Sequence, residues 1–101
     1  MVVNYYSLDY TDPVQTGFAL ALNQTLTAAA AANGAVVADA FTAFQQAATA
    51  FAAGKTCFAG LLNGDPLNQP LQCDIHPSLS GQRLLAKAVE AAYVATRRRD
   101  D

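Results

Sequence analysis

Charge is scarce in this chain: only 14% of its 101 residues are Asp, Glu, Lys or Arg, and the net charge is −2. With 52% apolar residues, so little charge excludes a disordered chain and points to a globular one. The slightly acidic balance argues against non-specific nucleic-acid binding. No run of 18 or more apolar residues occurs, so no membrane span is expected. The opening Met1-Val2-Val3-Asn4-Tyr5-Tyr6 has neither the basic nor the long apolar segment of a signal peptide, and reads as the inside of a β-strand. Serine is rare too. Ser7, Ser78 and Ser80 are the only three, and none sits in the strained strand-to-helix turn that exposes a nucleophile.

Two cysteines are present, Cys57 and Cys73, on either side of a stretch rich in Gly, Pro and Asn. A disulfide closing such a loop of about 15 residues stabilises by roughly 3 kcal/mol and implies an exported protein. The alternative is two free thiols buried as small hydrophobes. A metal site built from Cys57, Cys73, His76 and Asp74 lacks the C-x-x-C and paired-histidine spacings of zinc proteins.

Along the chain, Val2 to Tyr6 is β-branched and aromatic, as a strand should be. Asp12-Pro13-Val14-Gln15 then combines an Asp N-cap, a first-turn proline and a glutamine three residues after the cap. This predicts a helix from about Pro13 to Asn33, with Val14, Phe18, Leu22, Leu26 and Ala29 on its apolar stripe and Gln15, Asn23 and Thr27 off it. Ala35 to Ala38 reads as a short buried strand ending at Asp39, which either closes the strand or caps the next helix. Phe41, Phe44, Ala48 and Phe51 predict a second helix to about Ala53, stopped by Gly54. Lys55 to Gln72 reads as a long loop. A last helix from about Ser80 to Thr96 places Leu84, Leu85, Ala88, Val89 and Ala92 inward and Arg83, Lys87 and Glu90 outward. Ser78 or Ser80 caps it. Arg97-Arg98-Arg99, with Asp100 and Asp101 directly after it, reads as a solvated helix end. Asn23-Gln24-Thr25 matches a glycosylation sequon but falls in mid-helix, and is discounted.

Strand–helix–strand with so long a helix implies a parallel pair. Parallel sheets are normally covered on both faces and contain more than two strands. The expected fold class is therefore α/β, with residues 1–101 forming part of a larger domain.

The only histidine lies in Cys73-Asp74-Ile75-His76-Pro77-Ser78. A residue before proline is pushed out of the α region, so His76 is expected to be extended, and residues two apart then point to the same side. The Asp74 carboxylate can accept from Nδ1–H of His76, fix the tautomer and leave Nε2 free to take a proton. The alternative is an Asx turn before a helix.

Asp74-Ile75-His76-Pro77, with Ser78-Leu79-Ser80-Gly81-Gln82 and an apolar helix after it, resembles the last block of the SGNH, or GDSL-type, serine hydrolases. That block carries the catalytic Asp and His as D-x-x-H-P, or as the shorter D-x-H-P found here. The resemblance covers nearly the whole chain but only the final part of the family's fold. It implies the C-terminal part of a three-layer α/β/α, flavodoxin-like domain, with His76 as general base and Asp74 as its orienter. The implied enzyme cleaves carboxylic esters through an acyl-serine intermediate, needs no cofactor, and is secreted or held in the cell envelope. The serine block G-D-S and the oxyanion-hole blocks are absent, so this chain alone is expected to be inactive. The competing expectation is a non-catalytic α/β module that docks through its apolar sheet edge, against a partner or against itself.

Overall fold

The computed structural model describes residues 1–64 and 73–100, so the end of the expected Lys55–Gln72 loop and Asp101 lie outside the described residues. Strand β1, Val2–Val3, pairs in parallel with strand β2, Val37–Ala38, with Val2 opposite Val37. Helix α1, Pro13–Ala32, joins them. Helix α2, Ala40–Ala52, comes directly after β2, and helix α3, Leu79–Asp100, completes the chain. The three helices account for most of the described residues. Among the described residues no helix is long and apolar enough to cross a membrane.

The expected three-layer, flavodoxin-like α/β/α arrangement is therefore not what the chain forms: among the described residues the sheet is one pair of two-residue strands beside three helices. The reason lies in the residues that close each strand. The ladder runs from Val2 N–H to the Val36 carbonyl (2.8 Å) and from Asn4 N–H to the Ala38 carbonyl (3.1 Å). There the Asn4 side chain takes over. Its amide donates to Asp39 (3.1 Å) and its oxygen accepts from Phe41 N–H (2.9 Å), which turns the chain into α2. Asp39 caps that helix by accepting from Thr42 N–H (3.1 Å), so β2 cannot continue. Tyr5, the next residue of the expected strand, gives its backbone N–H and carbonyl to the Asn23 side chain at 2.8 and 2.9 Å. An asparagine amide thus stands where a neighbouring strand would hydrogen-bond.

This contact also sets the face that α1 turns inward. Thr16, Ala19, Asn23, Leu26 and Ala30 are its buried or half-buried positions, at helical spacing. The aliphatic stripe expected to face the core lies mostly outside: Val14 and Phe18 are each 75% exposed. Asn23, set off that stripe by sequence, is buried. On α2, Phe44 and Ala48 are fully buried as expected, but Phe51 is exposed. Helix α3 packs on α2 and β2 through half-buried Leu84, Leu85, Ala88, Val89 and Ala92. At its far end Arg97 lies over the Tyr93 ring, 5.8 Å from the centroid.

The core is small and rich in alanine, centred on Phe44 with Ala38, Ala40, Ala48, Leu61 and Leu62. Tyr6 stacks on Phe44 with ring centroids 4.2 Å apart, and Tyr10 meets Phe41 edge-on at 5.1 Å.

Candidate functional site

The segment carrying Asp74 and His76 is held by a short antiparallel contact with the chain around Leu61 to Asn63. Leu61 and Leu62 are buried, which fixes that stretch to the core. From it, the Asn63 carbonyl accepts from Asp74 N–H (2.7 Å), and Asn63 N–H donates to the His76 carbonyl (2.9 Å). Leu62 and Pro77 form the bridge between the two segments, and the Leu61 carbonyl accepts from Ser78 N–H (2.9 Å). The approach is close enough to require glycine at 81: a Cβ there would overlap the Leu61 carbonyl oxygen and lie 3.2 Å from its carbon. Ser78 caps α3, its hydroxyl accepting from Gly81 N–H (3.1 Å) while donating to the Gly60 carbonyl.

Cys57 and Cys73 are joined by a disulfide, with Cα atoms 5.8 Å apart, immediately before Asp74. Both sulfurs are therefore unavailable as thiolates, and the four-residue metal set considered from sequence is dissolved. Among the described residues no cluster of three or more His, Cys, Asp or Glu could hold a metal ion.

Within this frame Nδ1 of His76 lies 2.5 Å from Oδ1 of Asp74. The same oxygen accepts the backbone N–H of His76 at 3.1 Å. The two readings of Asp74, Asx turn and partner of the imidazole, are thus one arrangement: the turn brings the ring to the carboxylate. The backbone N–H and then the side chain of His76 hold the Asp74 carboxyl below its ordinary value. An ionised carboxylate only accepts, so the proton between them sits on Nδ1, and it is the Nε2 of the neutral ring that offers a lone pair. Both side chains are open to water, the imidazole at 71% and the carboxylate at 53%. An exposed pair of this kind contributes geometry more than stability.

Other groups are engaged elsewhere. Asp9, which lines a cavity of about 190 Å³ together with Asp74, Ile75 and both cysteines, accepts from Thr11 and pairs with Lys55 at 3.6 Å. Ser7 is buried, its hydroxyl bonded to the Asp9 carbonyl and to Thr16. The hydroxyls of Ser7 and Ser78 are thus both committed to other partners.

Two supports of the site carry no signal in the sequence that points to it. The Asn63 bracket is backbone and has no side-chain signature. The other is Tyr6, whose hydroxyl donates to the Ile75 carbonyl at 2.9 Å, and whose sequence context marks it only as a strand residue.

No protein-family model, curated protein or solved structure matches this chain.

Proposed function

We propose that Asp74 and His76 are the general-base pair of a serine ester hydrolase of the SGNH type, serving a serine nucleophile that these 101 residues do not supply. The observation that carries this reading is the Nδ1–Oδ1 contact of 2.5 Å, with the imidazole 71% exposed. His76 would take the serine proton at Nε2 and later return it to the leaving alcohol. Asp74 would hold the tautomer and stabilise the imidazolium. The D-x-H-P-S context and the helix after it are the sequence features in its support.

This chain alone should hydrolyse p-nitrophenyl acetate no faster than free imidazole, since the nucleophile and the oxyanion hole carry most of the acceleration in such enzymes. A product burst stoichiometric with protein, abolished by a serine-directed phosphonate, would overturn the placement of the serine outside the chain. In a polypeptide joining this chain to a G-D-S block, His76→Ala abolishes turnover, and Asp74→Asn lowers kcat by about 10²–10⁴-fold. Turnover surviving His76→Ala refutes the assignment.

A second reading, a non-catalytic module that self-associates, draws on the apolar surface of Val14, Phe18, Tyr5 and Val3, all exposed. Sedimentation separates the two. Concentration-dependent dimers that Phe18→Asp dissolves favour the module, and a monomer at all concentrations removes it.

A further inference from the structure

We propose that Tyr6 is the positioning residue of the Asp74–His76 pair, tying the turn that carries both to the buried Phe44 of the core. Three observations meet here. The Tyr6 hydroxyl donates to the carbonyl of Ile75, the residue between the two, at 2.9 Å across 69 positions of sequence. Its ring stacks on Phe44 at 4.2 Å and 11°, and Phe44 is fully buried. The Ile75 side chain is 61% exposed, so the turn is not anchored by burial of its own central residue.

The geometry explains why one tether is not enough. Asn63 holds the backbone of Asp74 and of His76, and Tyr6 holds the carbonyl of Ile75 between them. All three residues of the turn are thus tied to the scaffold through their backbone, which limits movement of the Asp74 carboxylate and the imidazole together. Burial, with the charge of Asp74 nearby, raises the Tyr6 phenol above 10.0, so the hydroxyl stays protonated and remains a donor. A phenol in this place acts on the pair through the Ile75 carbonyl.

The inference rests on the general-base reading only for its catalytic consequence; its physical content is tested in the chain itself. Tyr6→Phe keeps the stacked ring and removes the hydroxyl. Two readouts are used: native-state amide exchange at Asp74 and Asn63, and the tautomer of neutral His76 from long-range ¹H–¹⁵N correlations. Loss of one hydrogen bond of typical net strength should raise exchange at those two amides by about fivefold, with α1 and α2 amides unchanged. The Nδ1–H population of His76 should fall in parallel. Unchanged exchange and tautomer would show that the Asn63 bracket suffices and would overturn the proposal. So would a uniform rise across all amides, which marks a purely structural tyrosine. Failure of His76 in ester hydrolysis would leave both readouts in place, so it strikes the functional reading and not this one.

Discussion

Replacing Asn23 by leucine and Phe18 by glutamine sets the two faces of α1 against each other. By hydropathy alone, the first change should improve the helix and the second should damage it. The structure reverses this. Asn23 is 8% exposed, and its amide closes both backbone groups of Tyr5, at 2.8 and 2.9 Å. Asn23→Leu leaves that N–H and carbonyl without their partner, at about 1–3 kcal/mol each. Partial access of water to Tyr5, itself 54% exposed, lowers the sum, and the better helix propensity of leucine returns about 0.5 kcal/mol. The expected loss is about 2–3 kcal/mol, or roughly 10–20 °C in Tm for a domain of this size. Phe18 is 75% exposed, so Phe18→Gln should stay within about 0.5 kcal/mol. Urea unfolding of the oxidised protein at low concentration, monitored by helical circular dichroism, reads both values. A Phe18→Gln loss larger than that of Asn23→Leu would refute the orientation of α1 described here.

The capping and cross-linking groups give two further outcomes. Burial pushes the Asp39 carboxyl up, but Thr42 N–H, the Thr42 hydroxyl and the Asn4 amide outweigh it and hold the group below 3.8. A carboxyl depressed in the folded state stabilises fully above its unfolded value and loses that contribution as pH falls through the folded one. Stability should therefore drop below about pH 4, and Asp39→Asn should flatten this limb; identical Tm profiles between about pH 5 and pH 2 would refute it. Replacing Cys57 and Cys73 by serine should lower stability by about 3 kcal/mol through the freed loop, and equal urea midpoints would contradict this.

Local signals in the sequence carried much of the fold. Asp12-Pro13 and Asp39 mark the starts of α1 and α2 because capping chemistry acts over three residues and needs no tertiary context. The parallel pairing of Val2 with Val37 is set by the long helix between the strands. The extent of the sheet was not legible. Residues Val2 to Tyr6 read as one strand, yet the ladder stops where Asn4 turns toward Asp39 and Asn23 reaches Tyr5. The buried face of α1 was hidden for a related reason. Periodicity shows which face of a helix is apolar, but not which face a distant polar backbone will claim. At the candidate site the contact of Asp74 with His76 was expected from an extended segment; the chain instead bends at Ile75 and His76, and the Asx turn makes the contact. Its supports at Tyr6 and Asn63 come from far along the chain and leave no pattern in it.

Asp74 fixes His76 with the proton on Nδ1, leaving the lone pair of the neutral ring on Nε2. Long-range ¹H–¹⁵N correlation of the intact, oxidised chain, at a pH where the imidazole is neutral, reads the tautomer directly. The parent protein should show the Nδ1–H form, and Asp74→Asn should lose it. A parent spectrum dominated by the Nε2–H form, or one that Asp74→Asn leaves unaltered, would contradict this assignment.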